Sequence, residues 1–225
     1  MKVSEIFVSI EGEGIRTGLA AVFVRLFGCN LRCSYCDSMY AVEGNDYKQM
    51  SIEEVFAEIG KTGIRHVTLT GGEPLIHPGA TELLKLLSDR GFEVNVETNG
   101  TVACAGAFNH ENLPNVFYTM DWKCKSSGMT SKMKMENLAT LNKHDVLKFV
   151  VGSVEDLQEA SSVVAELAQR LSQNMPQIFI SPIFGKLENE KIVEWMLLDK
   201  TMLQNNARFQ VQLHKVIWDP DKRGV

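Results

Sequence analysis

Long apolar runs are absent from this sequence. No stretch approaches the roughly 18 residues that a membrane-spanning helix needs, so no membrane partner is expected. The opening residues, Met1-Lys2-Val3-Ser4-Glu5, lack a signal-peptide apolar core and a small-residue cleavage site, which predicts a cytoplasmic location. A basic surplus is missing too. Lys and Arg number 23 against 28 Asp and Glu, a formal net charge of −5. That argues against a nucleic-acid binder working by phosphate neutralisation. Proline is scarce, with six residues and no Pro-rich linker, and neither repeats nor low-complexity segments occur. One domain over residues 1–225 is therefore expected. What is present is ordinary packing material, 44% hydrophobic and 23% charged, which excludes global disorder.

Cysteine is sparse but unevenly placed. Of five, Cys29, Cys33 and Cys36 fall close together, while Cys104 and Cys124 stand apart. An odd number in a chain without a leader does not read as a disulfide framework. Three thiols spaced C-x3-C-x2-C read as metal or redox chemistry, since soft thiolates favour zinc, copper(I) or iron–sulfur clusters. A structural zinc site wants four protein ligands, and Cys104 or Cys124 could complete one. A 4Fe–4S cluster wants a ligand on each iron. Three local cysteines leave one iron open to a small chelate, such as the amino and carboxylate groups of S-adenosylmethionine.

Seven short segments rich in β-branched and aromatic residues read as strands: Ala21–Leu26, His66–Thr70, Glu93–Glu97, Val116–Met120, Val146–Val151, Gln177–Ser181 and Arg208–Leu213. Helical patterns lie between them. Ser51 and Glu54 form a capping box opening a helix from Ile52 to about Ile59, stopped by Gly60. Pro78–Arg90 carries a leucine stripe, Ser153 and Asp156 cap a long helix to about Leu171, and Lys191–Leu198 is a fourth. Strand–helix alternation predicts a parallel sheet with right-handed crossovers. Eightfold barrels typically need about 250 residues. A chain of 225 predicts an α/β fold of the partial (β/α)6 type, a trimmed TIM-like barrel. Ligands then sit at the C-terminal ends of the strands.

Each strand end carries something unusual. Thr70-Gly71-Gly72-Glu73-Pro74 allows close backbone approach to a ligand, and alone it reads as a tight turn with a capping Glu. Glu97-Thr98-Asn99-Gly100 alone reads as an Asn-Gly turn. After the fourth strand, Asp121-Trp122-Lys123 opens a stretch holding four lysines, 123, 125, 132 and 134, for which a solvated face is the plain alternative. Ahead of the first strand, Glu11-Gly12-Glu13-Gly14 offers carboxylates for an amino-substituted ring, or a polar turn. Arg25 inside an apolar strand needs a partner to be buried. An internal ion pair or a bidentate hold on a substrate carboxylate would each supply it.

The cysteine spacing, with the aromatic Tyr35 before Cys36, resembles the radical S-adenosylmethionine superfamily. The whole set is similar to one family within it, the 7-carboxy-7-deazaguanine synthases: EGEG at 11–14, Arg25, CNLRCSYCDS at 29–38, TGGEP at 70–74, ETNG at 97–100 and the tail Gln212–Lys215. This resemblance implies that Cys29, Cys33 and Cys36 ligate a 4Fe–4S cluster. It implies that Tyr35, Cys36, Asp37, Gly72, Glu73, Glu97, Asn99, Asp121, Trp122 and Lys123 contact S-adenosylmethionine. Ile10, Glu11, Gly12, Arg25, Thr70, His214 and Val225 fall to a pterin substrate. Ser38 stands where the family usually has a threonine supporting Mg²⁺; it keeps the oxygen and loses the methyl that stiffens χ1. The implied reaction is a radical ring contraction of 6-carboxy-5,6,7,8-tetrahydropterin with loss of ammonia, started by a 5′-deoxyadenosyl radical. A homodimer and an electron donor such as flavodoxin or ferredoxin are implied as partners. A glycyl-radical-enzyme activase shares the cysteine and GGEP loops, and EGEG with Arg25 distinguishes it. A non-catalytic iron–sulfur or zinc protein is the alternative from another class.

Overall fold

A computed structural model describes residues 1–225. Its framework follows from the period-two alternation of the apolar segments. Strands β1 (Lys2–Ile10), β2 (Ala20–Leu26), β3 (Lys48–Gln49), β4 (His66–Gly71), β5 (Glu93–Thr98), β6 (Val116–Trp122), β7 (Val146–Val151), β8 (Gln177–Pro182) and β9 (Arg208–Phe209) form one sheet in the order β3-β1-β2-β4-β5-β6-β7-β8-β9. From β2 onward every pairing is parallel, while β1 runs antiparallel to both β2 and β3. The sheet begins at β3 and ends at β9 without closing, which is the trimmed barrel.

Alternation sorts the two faces. Val22, Val24, Val67, Leu69, Val94, Val96, Tyr118, Met120, Leu147, Phe149, Ile178 and Ile180 pack outward in one buried core. Helices α1 (Ile52–Lys61), α2 (Ala80–Asp89) and α4 (Val154–Leu171) cover it through Val55, Ile59, Leu83, Leu84, Leu87, Leu157 and Val164. The residues between carry the opposite chemistry. Arg25 pairs in register with Thr70, Glu97 with Thr119, and Asp121 with Lys148. A polar row thus lines the inner face.

Short connections trim the barrel. No α-helix joins β5 to β6, and only α3 (Met135–Leu138) lies between β6 and β7. The expected caps hold: Ser51 and Glu54 form a capping box, Ser51 Oγ accepting from Glu54 N while Glu54 accepts from Ser51 N, and Ser153 Oγ accepts from Asp156 N. Three features depart from the sequence reading. β1 precedes the first strand expected, β9 stops at Phe209 instead of Leu213, and the tail forms helix α7 (Leu213–Ile217). β9 is an edge strand, and Gln210 beyond it turns its side chain to Ser181 Oγ at 2.8 Å and accepts from Gly14 N at 2.7 Å. The Lys191–Leu198 helix appears as α5 (Asn189–Leu198), followed by α6 (Lys200–Gln204). No helix is long and apolar enough to cross a membrane.

Candidate active site

A cavity of about 470 Å³ opens where the parallel strands end, large enough for a small organic ligand. Its rim begins with the cysteine loop. β2 ends at Leu26, Gly28 turns the chain with φ +106°, and Cys29, Cys33 and Cys36 follow without a disulfide. All three line the cavity; Cys104 and Cys124 are buried elsewhere and do not. A four-cysteine zinc site is therefore not assembled. Leu31 N and Asn99 Nδ2 point at Cys29 Sγ at 3.4 and 3.7 Å. Burial pushes the Cys33 thiol up to about 11, with the Lys123 charge opposing, and burial raises Cys36 too. Metal ligation takes the thiolate form, so loading a cluster at these thiols releases protons.

The glycine loop locks onto this one. Gly72 N donates to Leu26 O at 3.0 Å and Glu73 N to Gly28 O at 2.9 Å. Glu73 itself is fully buried and faces away from the cavity. Its carboxylate accepts from Leu75 N (3.0 Å), Thr98 Oγ1 (2.9 Å) and Asn99 N (2.6 Å), tying the GGEP and ETNG turns together. Trp122 also fails to reach the cavity. It shares the outward parity of Tyr118 and Met120, and its Nε1 donates to Glu159 at 3.0 Å. The structure brings every other residue assigned from the sequence to the cavity wall: Asn99, Glu97, Asp121 and Lys123, the pair Gly72 and Thr70, the loop Tyr35–Ser38, and Ile10–Gly12 with Arg25, His214 and Val225.

The floor is a charged cluster centred on a residue the sequence reading missed. Lys148, buried in β7, reaches Glu13 at 3.0 Å, Glu97 at 3.4 Å and Asp121 at 3.9 Å. Burial alone would lower its pKa; the three carboxylates raise it well above the usual value. Lys123 pairs with Asp121 at 2.8 Å and lies over the Tyr35 ring. Glu13 Oε1, Asp121 Oδ1 and the Tyr35 hydroxyl are buried with no hydrogen-bond partner. Buried polar atoms are normally satisfied, so these three mark where a polar ligand fits.

Glu11 is buried beside them and accepts a hydrogen bond from Thr68. Burial lifts its pKa from 4.5 to about 7, with the Thr68 hydrogen bond opposing. The charged form is thus disfavoured in the folded chain, and stability falls as pH rises from about 4.5 to about 7. Glu11→Gln keeps the Thr68 hydrogen bond and removes the penalty. The variant is expected to melt several degrees above the parent at pH 8 and level with it near pH 4.5. Thermal unfolding across that range checks this; a gain independent of pH would contradict it.

Arg25 resolves its two readings in one geometry. Nε donates to Glu5 on β1 at 2.7 Å, the internal ion pair, and this is the only hydrogen bond its side chain makes. Its terminal nitrogens stay available on the cavity side. Glu5 also accepts from Tyr40 Oη at 2.8 Å, and the tail residue Arg223 stacks 3.5 Å over the Tyr40 ring. The tail closes the opposite wall. Lys215 pairs with Asp37 at 3.1 Å, Ser38 Oγ donates to Asp37 at 2.9 Å, and Leu213 N donates to Gly12 O at 3.1 Å. Lys148, Glu5, Tyr40 and Lys215 were not anticipated. For Lys148 a signal existed: a cation inside the apolar run VLKFVV, the same clue that exposed Arg25.

Known proteins share this arrangement. Residues 24–104 match a family model described as the Radical SAM superfamily. A 7-carboxy-7-deazaguanine synthase of Clostridium acetobutylicum is 46% identical over 226 residues, spanning 100% of this chain and 99% of that protein. The chain belongs to the 7-carboxy-7-deazaguanine synthase family. A second 7-carboxy-7-deazaguanine synthase, from Methanospirillum hungatei, is 39% identical over 98% of this chain and 86% of its own. The crystal structure of QueE from Escherichia coli superposes with a TM-score of 0.71 at 28% identity, covering 95% of this chain and 94% of that one. The cofactors of the superfamily, a 4Fe–4S cluster and S-adenosylmethionine, come with the membership. The residues present fit them. Three unpaired thiols give a soft donor set one short of four. Gly71 and Gly72 pack tightly on Leu26 and Gly28 and offer backbone to the cavity wall, and Tyr35 and Asp121, each with an orphaned oxygen, line the same cavity.

Proposed function

We propose that this chain converts 6-carboxy-5,6,7,8-tetrahydropterin into 7-carboxy-7-deazaguanine, contracting the ring and releasing ammonia. The observation that carries the reading is the meeting, in one cavity, of the three-cysteine loop with Arg25, Glu11 and the Lys148 carboxylate cluster. The bound cluster and S-adenosylmethionine supply the radical chemistry; the chain supplies placement. Arg25, held through Nε by Glu5, presents its terminal nitrogens to the substrate carboxylate. Glu11, with a pKa of about 7, gives or takes a hydrogen bond at the amino-substituted ring edge. Glu13 and Asp121 offer their unpartnered oxygens to ring N–H groups and to cofactor donors. Ser38, bonded to Asp37, brings a hard oxygen for Mg²⁺ beside the carboxylate end. Lys215, Arg223 and the chain end at Val225 cover the mouth and keep a reactive carbon centre from water. The open sheet edges support a homodimer, and the reading includes a cytoplasmic location and a carrier protein that supplies electrons.

The test is anaerobic turnover. The reconstituted chain, with reductant, S-adenosylmethionine, Mg²⁺ and carboxytetrahydropterin, is expected to form carboxydeazaguanine, detected by mass. Cofactor cleavage without that product would remove the substrate assignment and leave the superfamily chemistry standing. Arg25→Ala is expected to raise the substrate KM about 10- to 100-fold, the worth of a charge-assisted contact. Arg25→Lys, which keeps the charge and loses the fork, falls between. An unchanged KM takes Arg25 out of the substrate site.

A further inference from the structure

Beyond Lys123, the lysine-rich stretch after β6 does not line the cavity. Between Trp122 and Met135 the chain holds Lys123, Lys125, Lys132 and Lys134 and no acidic residue, in a protein of net charge −5. Lys123 turns inward to Asp121. The other three are exposed, and none forms an ion pair. Their position is specific. The segment that carries them is laced to the cysteine loop: Ser34 N donates to Ser127 O at 3.0 Å, Ser34 Oγ donates to Ser126 O at 2.5 Å, and Arg32 N points at Met129 Sδ at 3.5 Å. Arg32 and Ser34, between the cysteines, are exposed, and the cysteines themselves are only half-buried. The lysine-bearing segment therefore lies directly against the loop that carries the three thiols. Arg32 spends its charge on Glu43 at 2.8 Å, so Lys125, Lys132 and Lys134 are the unpaired cations on this side of the cysteine loop.

An unpaired basic patch on an acidic protein repels other copies of the chain less than the rest of its surface does, and attracts negatively charged partners. The chemistry beside it needs one: a cluster held by these cysteines must receive an electron from outside, and electron transfer falls off steeply with distance. We propose that Lys125, Lys132 and Lys134 form the docking surface for a small acidic one-electron carrier protein. This rests on the radical S-adenosylmethionine reading of the cysteine loop. In the transfer itself the carrier's reduced flavin loses one electron, the oxidised cluster gains it, and no bond or proton need move. Contacts of this class are electrostatic, brief and salt-sensitive.

The experiment compares the parent with Lys125→Gln/Lys132→Gln/Lys134→Gln. The three side chains are exposed and unpaired, so the fold is expected to stand, and an unchanged melting temperature verifies it. Binding of oxidised flavodoxin to the cluster-free chain is measured by titration calorimetry at low and high salt. Kd is expected to rise at least about tenfold in the variant at low salt, with the difference closing at high salt. With the cluster loaded, cofactor cleavage driven by flavodoxin hydroquinone is expected to slow by a similar factor, while cleavage driven by dithionite stays unchanged. A Kd within twofold of the parent overturns the proposal. So does a variant that loses RNA binding and keeps flavodoxin binding, which would make the patch a nucleic-acid surface. Failure of dithionite-driven cleavage in the parent would instead strike the reading of the cysteine loop, and the cluster-free titration would still decide the docking surface.

Discussion

Lys148→Met is expected to cost about 3–5 kcal/mol, the range for stranding buried charges by removing their partner. In a chain of this size that is a fall in Tm of about 10 °C. The side chain is 7% exposed and sits among Glu13, Glu97 and Asp121. Methionine fills the volume and supplies none of the charge. Asp121 keeps Lys123 at 2.8 Å, whereas Glu97 keeps only an Asn95 side-chain hydrogen bond at 3.0 Å and Glu13 keeps none.

The pH dependence distinguishes this from a packing defect. Burial already raises Glu97 above its usual pKa, with Lys148 holding it down. Without the ammonium it rises further. Carboxyls with raised pKa are costly when ionised and cheap when protonated, so the deficit shrinks as pH falls. Unfolding curves at pH 5 and pH 8 are expected to show the larger loss at pH 8. Adding Glu97→Gln to the variant is expected to restore part of the stability without restoring substrate binding, because the ordered floor is still broken. An equal deficit at both pH values would mean that Lys148 acts through its volume alone.

How far the sequence discloses this site depends on whether a residue's task is local. The cysteine loop and the two turns at Gly71–Gly72 and Asn99–Gly100 are local; spacing and turn chemistry make them visible, and they fall where expected. Arg25 was visible because a cation in an apolar strand is anomalous, though which of its two partners it takes required β1. Glu5 reaches Arg25 across a strand pair whose register is set by the whole sheet. β1 itself, KVSEIFVSI, mixes serines and Glu5 into its alternation because one face lines the site, and so it reads poorly as a strand. Trp122 shows the opposite error. Its place in the motif points to the cofactor, but period-two geometry turns it outward with Tyr118 and Met120 into the helix-covered core. Glu73 sits in the expected turn, and its side chain is consumed by three donors from its own neighbourhood. Contacts of the tail with Asp37, Asp46 and Tyr40 span more than 175 residues of chain. No local pattern announces them.

Gly72→Ala is expected to abolish stable cluster incorporation. A Cβ there would lie 2.1 Å from Gly28 O, 2.5 Å from Gly28 C and 2.8 Å from Cys29 Cβ. The first two are backbone atoms that cannot rotate aside. Gly28 is itself held in the left-handed region and hydrogen-bonded through its carbonyl to Glu73 N at 2.9 Å. Relief of the clash therefore means moving the base of the cysteine loop, and Cys29 with it. Overpacking of this kind costs about 1–3 kcal/mol, which a domain of this size survives; the displaced ligand is the greater loss. After anaerobic reconstitution the variant is expected to hold little iron and sulfide while retaining a cooperative melt. Gly60→Ala is the matched control. Gly60 lies in α1 with open space around its missing Cβ and an ordinary φ, so alanine there is expected to stabilise by about 0.5–1 kcal/mol and leave iron content unchanged. Full iron and sulfide in Gly72→Ala would show that the cysteine loop positions its thiols independently of the turn beneath it.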